Sequence, residues 1–273
     1  EPQAAAEEAQ ALLARYGRAI DSGSVAGPRI YPSGAMISQT SGHGDFRNIW
    51  ELPALPDRLQ HADMLGAAAI ADGRDAVLRM TREQLMRGAS QIKIVAGGGA
   101  SSAYDPIDVT QFLPEEIEAA VLAAADWGTY VIAHVYTPTG IKRCIKAGVK
   151  SIEHGNIADE EAVMMMADNG VVWSLQPLVE ENANPTTDPV RRAKQMVVWE
   201  GTDNAYKLSQ KHGILVGWGT DVLFDQPATE RQGKVLAYMK RWYTPAQALK
   251  QATSDNAFIL GLSGPRNPYP GAL

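Results

Sequence analysis

Residues 130–154 read YVIAHVYTPTGIKRCIKAGVKSIEH and contain one complete strand–helix–strand unit. An apolar run with β-branched residues ends at His134, a helical stretch follows over 139–147, and a second short apolar run ends at His154. A helix that joins two parallel strands of one sheet forms a right-handed crossover. The two histidines are therefore expected at the same edge of the sheet, where both strands end.

The same alternation of strand and helix continues in both directions from this unit. The remaining predicted elements are strands at 28–32, 91–95, 171–175 and 213–217, a polar insert at 179–195, and helices over 73–88, 114–127, 158–169, 196–212 and 244–261. About six strand–helix repeats predict an α/β fold with a parallel sheet. We therefore expect a partial (β/α)8 TIM-type barrel, with about six of its eight units.

The length of 273 residues suits one barrel domain spanning residues 1–273. Residues 1–18 read as a divergent N-terminal helix and 262–273 as a C-terminal coil. Cys144 is the only cysteine; we expect it to be a small buried residue rather than a nucleophile. A single cysteine suits a reducing compartment, and we expect a cytoplasmic protein.

The charge balance excludes two classes of partner. The net charge is −6 and the isoelectric point is about 5.4. Nucleic acids and anionic membrane surfaces attract basic proteins, so neither partner is expected. Apolar runs also fall short of the roughly 18 residues that a spanning helix needs. A small-molecule substrate is the expected partner, and association into a homo-oligomer stays open.

Four chemically active side chains lie at or near strand ends: Lys93, His134, His154 and Asp221. In an α/β barrel the carboxyl ends of the strands surround one common mouth, where the active site lies. Imidazole and carboxylate groups are good ligands for zinc. The residues therefore favour a metal site, while a Schiff-base lysine at Lys93, as in a barrel lyase, is the alternative within enzymes.

Seven short motifs in this order resemble the amidohydrolase superfamily, in particular its imidazolonepropionase-like branch, which includes Xaa-Pro dipeptidases (prolidases) and related carboxypeptidases. The motifs are PRIYPSG at 28–34, GHGD at 42–45, IKI at 92–94, AHVY at 133–136, IEHG at 152–155, GTD at 219–221, and the segment from Ala252 to Gly261. The resemblance runs from about Ala19 to the C terminus and implies a metal-dependent hydrolase barrel.

The resemblance also implies roles for the strand-end residues. Lys93 would be carboxylated and bridge two divalent metals, usually zinc. His134 and His154 would bind the second metal. Asp221 would bind the first metal and shuttle a proton from the metal-bound hydroxide to the leaving amine.

Two further residues gain roles in the same way. His43, in a loop flanked by glycines, would polarise the scissile carbonyl, and loop polarity is its alternative explanation. Tyr136 would contact the substrate carboxylate, with packing as the equal alternative. Glu153 precedes His154 and is expected on the opposite face of its strand in a structural role. The run Gly97-Gly98-Gly99 is expected to make room for backbone beside Lys93.

The chain departs from the family pattern at one place. The family begins with a His-x-His pair on its first barrel strand, and none of the five histidines here forms such a pair. The β-sandwich that the family builds from both termini is not visible either. We therefore expect an interior fragment of a longer enzyme, with one metal rather than two and weak or absent activity.

These observations give one main functional prediction and two alternatives. The prediction is an amidohydrolase that cleaves a C–N bond, with a dipeptidase or carboxypeptidase-like activity on dipeptides or N-acyl amino acids. The first alternative is the lysine Schiff-base lyase. The second is an inactive barrel fragment that acts as a binding or assembly module, because missing strands would leave open sheet edges.

Overall fold

A computed structural model of the chain describes residues 16–17, 19–52, 66–180, 186–222 and 226–269. Most of the predicted N-terminal helix over 1–18 lies outside these ranges. The part of the chain that is described contains one parallel sheet of seven strands with helices between them. This confirms the predicted α/β fold and the partial barrel.

The seven strands are short and all parallel to their neighbours. In chain order they are β1 (Met36–Ser38), β2 (Ala68–Ile70), β3 (Ile92–Val95), β4 (Val131–Val135), β5 (Ser151–His154), β6 (Val172–Ser174) and β7 (Val216–Gly217). Their order in the sheet is β2-β1-β3-β4-β5-β6-β7. From β3 onward, neighbours in the sheet are therefore also neighbours in sequence, as in a barrel.

Nine α-helices lie within the ranges that the structure describes. They are α1 (Arg74–Met86), α2 (Pro114–Asp126), α3 (Pro138–Ala147), α4 (Glu160–Asp168), α5 (Pro189–Lys211), α6 (Gln226–Thr229), α7 (Gln232–Tyr238), α8 (Pro245–Lys250) and α9 (Asn256–Gly261). A π-helical turn, Gln251–Asp255, joins α8 to α9. The final helix predicted over 244–261 is thus present, with this turn inside it.

Local sequence signals explain where α3 begins and ends. Thr137 caps the helix, since its hydroxyl accepts a hydrogen bond from the Gly140 N–H, and Pro138 occupies the first turn. Gly148 ends the helix at φ +97°, a conformation that glycine adopts without steric cost. The sheet packs against such helices through fully buried side chains, among them Ile92, Ile94, Ile117, Ile141 and Ile152.

Four sequence predictions differ from the structure. Seven strands are present rather than about six, because β1 and β2 were not predicted. The predicted strand at 28–32 is irregular, since it contains two prolines that lack the N–H a ladder needs. Helix α5 begins at Pro189, inside the predicted insert. The predicted C-terminal coil contains a 3-10 turn, Gly264–Arg266, closed by a hydrogen bond from the Asn267 N–H to the Gly264 carbonyl.

A helix must be both long and apolar to cross a bilayer. Over the described ranges, none combines enough length with enough apolar character to span a membrane.

Candidate active site

The strand register places three side chains on the inner face of the sheet. His134 on β4 pairs laterally with Val95 on β3 and with Glu153 on β5. Laterally paired residues of parallel strands face the same side, and Lys93 faces that side too because it lies two residues before Val95. Lys93, His134 and Glu153 therefore share one face, while Ile92 and Ile94 are buried on the other.

His154 joins this group because the backbone turns at the end of β5. His154 has φ +69°, in the left-handed region that non-glycine residues seldom adopt. The Trp173 indole N–H donates to the His154 carbonyl at 2.7 Å and holds this turn. The strict alternation of the strand therefore ends at His154. The expectation that Glu153 would face away from the site is wrong, because it assumed alternation through that position.

The three histidines and one tyrosine form a ring cluster at the mouth of the sheet. The His134 ring stacks on His43 at a centroid distance of 4.3 Å and meets the edge of His154 at 4.6 Å. The Tyr136 ring stacks on His154 at 5.2 Å and meets His134 edge-on at 5.2 Å. The structure thus brings together four of the six predicted site residues in direct contact.

Hydrogen bonds fix which ring nitrogen of His134 and of His154 carries the proton. His134 Nε2 lies 3.1 Å from the Gly98 carbonyl oxygen, which can only accept. His154 Nδ1 lies 2.6 Å from Gln176 Oε1, and the Gln176 amide nitrogen donates to the Ser174 carbonyl at 2.9 Å. Both contacted imidazole nitrogens are therefore donors. The lone pairs remain on His134 Nδ1 and His154 Nε2.

Burial keeps both imidazoles neutral. Burial lowers the pKa of His134 well below its usual value, and the neighbouring His43, His154 and Lys93 lower it further. Burial lowers the pKa of His154 to about 4, even though Asp221 opposes this effect. A neutral imidazole with a free lone pair is the form that binds a metal.

A cavity of about 420 Å³ opens at this edge of the sheet. Its wall includes every predicted site residue: His43, Lys93, His134, Tyr136, His154 and Asp221. Asp221 follows β7 in an exposed loop and has φ +50°. The side chains of Val198 and Trp199 from α5 and of Val235 from α7 also line it. The cavity therefore combines polar residues from the strand ends with apolar residues from two helices.

His43 is oriented by the loop that follows the glycine run 97–99. Its Nδ1 lies 2.8 Å from the Ser102 hydroxyl and 3.6 Å from Asp105 Oδ2. Asp105 Oδ2 also accepts the Gly99 N–H at 2.7 Å. Burial alone would raise the pKa of Asp105, but hydrogen bonds from His43, Ser102 and the Gly99 backbone lower it below the usual value. Asp105 is therefore an anion beside the imidazole.

The glycine run 97–99 makes room for specific groups. A β-carbon on Gly99 would overlap the His43 ring, and one on Gly98 would overlap the Pro106 carbonyl. The space at Gly98 thus admits backbone, whereas the space at Gly99 admits the His43 ring, which the sequence did not predict.

The donor set determines what metal this site could hold. Over the described residues, no three His, Cys, Asp or Glu side chains come close enough to hold a metal by themselves. Two neutral imidazoles with free lone pairs do lie together, and Lys93 and Asp221 line the same cavity. A hydrogen bond from the second ring nitrogen to a carbonyl group is typical of metal-bound histidine. The site therefore fits one divalent metal if Lys93 contributes a donor.

Four residues of this site were missed by sequence reasoning: Ser102, Asp105, Gln176 and Lys194. Each is a common polar residue in a loop or helix. Each makes a hydrogen bond to a site histidine, or to the loop beside His43, and several of these bonds join distant parts of the sequence. Gln176 could have been suspected, because it lies two residues after the end of strand β6, at the same edge of the sheet.

Comparison with known proteins gives consistent results. The amidohydrolase family model matches residues 4–265. Ochratoxinase of Aspergillus niger is 36% identical over 278 aligned positions, which cover 96% of this chain and 56% of that protein. The chain therefore spans little more than half the length of this curated relative.

Two solved structures are also similar. A prolidase complexed with N-methylphosphonate-L-proline matches with a TM-score of 0.80 and 33% identity, over 92% of this chain and 62% of that one. A Xaa-Pro dipeptidase with methionine bound in its active site matches with a TM-score of 0.76 and 30% identity, again over 92% and 62%.

Proposed function

Because the chain belongs to the amidohydrolase family, we propose that it hydrolyses the C–N bond of a dipeptide or an N-acyl amino acid. The observation that carries the proposal is the pair of neutral imidazoles, His134 and His154, at the mouth of the sheet. Each has one nitrogen committed as a donor and the other free to bind a metal. The similar prolidase and dipeptidase structures support this class of substrate.

The metal would be a divalent cation, with zinc as the first choice. Members of this family generally depend on divalent metals. His134 Nδ1 and His154 Nε2 would be two ligands, and carboxylated Lys93 would be the third, because a carbamate converts a cationic amine into an anionic oxygen donor. Asp221, which lines the same cavity, would be a ligand of the first metal of a two-metal site. The bound metal would activate a water molecule for attack on the amide carbonyl.

The other residues of the cavity would bind the substrate and move its proton. His43 would polarise the carbonyl group of the scissile amide, where negative charge develops during the reaction. The Asp221 carboxylate would take a proton from the attacking water and give it to the leaving amine. Tyr136 would bind the substrate carboxylate through its hydroxyl, which burial keeps protonated by raising its pKa.

The cavity also suits this substrate class by size and polarity. About 420 Å³ is within the range of small-molecule sites, roughly 300–1,000 Å³. Trp199, Val198 and Val235 form its apolar wall, and Arg231 and Lys234 lie beside them on the α7 side. We therefore expect a substrate with an apolar side chain and a carboxylate.

Metal content is the test that comes first. The chain would be purified with zinc and bicarbonate in the medium, and bound metal would be counted by mass spectrometry. About one metal per chain is expected, and Lys93→Ala should lose it. Lys146→Ala is the matched control, because this lysine is exposed on the outer side of α3. Hydrolysis would then be followed with Xaa-Pro dipeptides and N-acetylated amino acids.

Two results would count against the proposal. A folded chain that binds no metal under these conditions would contradict the metal site. Trapping of Lys93 by borohydride with a carbonyl compound, together with activity that survives chelation, would instead favour the lysine Schiff-base lyase.

A further inference from the structure

Lys194 is a buried lysine on α5 whose ammonium group contacts no carboxylate of the residues that the structure describes. Its Nζ donates to the Ser102 carbonyl at 2.7 Å and to the Asp105 carbonyl at 3.0 Å. Only 8% of the residue is exposed. These bonds join α5 to a loop about 90 positions earlier in the chain.

The loop over 99–105 is closed by its own hydrogen bonds and reaches His43. The Ser102 hydroxyl donates to the Gly99 carbonyl at 3.2 Å, and Asp105 Oδ2 accepts the Gly99 N–H. The same hydroxyl oxygen lies 2.8 Å from His43 Nδ1. The Ser102 hydroxyl can donate to the Gly99 carbonyl or to the Asp105 carboxylate, and its oxygen can then accept from His43 Nδ1.

This arrangement leaves His43 Nε2 as the ring nitrogen that can reach a substrate. The Ser102 and Asp105 oxygens lie beside Nδ1, and the His134 ring stacks on the His43 ring. The His43 ring also packs closely against the Gly99 backbone, where there is no side chain. Between Gly99 and Asp105 the loop is mostly exposed. The hydrogen bonds of Lys194 thus attach this loop to helix α5.

Packing alone does not explain a lysine at this position. Burial of an ammonium group is costly unless hydrogen bonds compensate, and a methionine would fill similar space without that cost. The two bonds of Lys194 end on the carbonyls of the same two residues whose side chains contact His43. Asp105 also attracts the Lys194 charge through space.

We propose that Lys194 is a positioning residue for His43. It holds the loop over 99–105 so that the Ser102 and Asp105 oxygens contact His43 Nδ1 and fix the ring with Nε2 on the cavity side. The effect on rate rests on the proposed hydrolysis, whereas the effect on the His43 ring is independent of any substrate.

The test compares Lys194→Met with the wild-type full chain. The ring nitrogens of His43 would be recorded by long-range ¹H–¹⁵N NMR, with His43→Gln used to assign its signals. We expect the pattern of a proton fixed on Nδ1 in the wild type and a mixed or reversed pattern in Lys194→Met. In an active preparation, kcat for an Xaa-Pro dipeptide should fall roughly 10- to 100-fold, with KM changed less than about threefold.

Matched variants separate positioning from general stability. Lys207→Met removes an exposed lysine from the same helix and should leave both readouts unchanged. Lys194→Gln keeps N–H donors without the charge and should retain part of the wild-type His43 pattern. It also serves as the decisive variant if Lys194→Met does not fold.

The inference is overturned if His43 keeps its wild-type ring pattern in a folded Lys194→Met or Lys194→Gln chain. It is equally overturned if kcat falls while that pattern stays the same. A chain without hydrolytic activity leaves the NMR test in force, so failure of the proposed function and failure of the positioning role are distinguished.

Discussion

Gly99 shows how much of this site depends on a single missing side chain. The His43 ring occupies the place where a β-carbon on Gly99 would lie, and the Gly99 N–H donates to Asp105. Replacing Gly99 with alanine must therefore move the ring, the loop or both. A shift of about 1 Å in a group that contacts the reacting atoms can cost about 100-fold in rate.

We expect Gly99→Ala to lower kcat about 100-fold while bound metal stays near the wild-type level. The reason is that the Gly98 carbonyl still orients His134. Gly233→Ala is the control, since a β-carbon there meets open space. Steady-state kinetics and metal analysis on the same preparations give the answer. Wild-type kcat in Gly99→Ala would show that the position of the His43 ring is unimportant.

At the residue scale, the sequence predicted the site residues that lie on strands, but not the residues whose hydrogen bonds orient the site histidines. Lys93, His134 and His154 stand out because each is a charged or polar residue within or at the end of an apolar strand. Ser102, Asp105 and Lys194 carry no such mark, because their partners lie far away in the sequence and only the fold joins them. The left-handed turn at His154 was also beyond prediction, since Trp173 holds it from the next strand.

At the scale of elements, the composition of the apolar runs decided which strands the sequence could reveal. The strands β3, β4 and β5 contain four or five residues each, and β6 and β7, though shorter, lie within apolar runs of about five residues. The strands β1 and β2 lie in stretches rich in Ala, Gly and Ser with one isoleucine each, which give little strand signal. They form a sheet through pairing with each other and with β3, a long-range property that no local pattern records.

Asn256, the first residue of α9, fastens the C-terminal helices to strand β7. Its Oδ1 accepts the Trp218 N–H at 2.9 Å, and its Nδ2 donates to the Trp218 carbonyl at 2.7 Å. Trp218 directly follows β7 and lies three residues before Asp221. The Asn256 side chain thus pairs with both backbone groups of Trp218, as a neighbouring strand would, and supports the backbone that leads to Asp221.

We expect Asn256→Ala to lower the free energy of unfolding by about 2 kcal/mol, because two backbone groups lose their partner. Asn256→Asp keeps the acceptor only and should lie between the wild type and the alanine variant. Ser254→Ala, at an exposed position on the π-helical turn, is the control. Urea denaturation at neutral pH measures the differences. Equal stability of Asn256→Ala and the control would exclude the role of Asn256 as a clamp.

The molecule as a whole gathers ionisable side chains at the mouth of a sheet that is otherwise apolar. His134 and His154 are buried there, and Glu153, which faces the same side, has its pKa raised by burial. Burial of such groups is expected to lower stability whenever their charged forms are favoured in the unfolded chain. A bound metal would offset this cost by stabilising the folded state alone. The buried histidines lower stability as the pH falls, whereas Glu153 lowers it as the pH rises. A histidine variant therefore isolates the histidine contribution.

We expect the metal-free chain to lose stability as the pH falls from about 7.5 to about 5. Burial lowers the pKa of His154 to about 4, whereas an exposed histidine in the unfolded chain titrates near 6.5. Between these values the unfolded chain binds a proton that the folded chain does not, so the free energy of unfolding falls with pH. For His154 alone the loss at about pH 5 is about 2 kcal/mol.

Urea denaturation in the presence of a chelator would measure this loss. The His154→Gln variant should show a smaller pH dependence, whereas Tyr136→Phe, which keeps both histidines, should keep the wild-type slope. A slope in His154→Gln as steep as in the wild type would mean that His154 is not the buried neutral imidazole on which the proposed metal site depends.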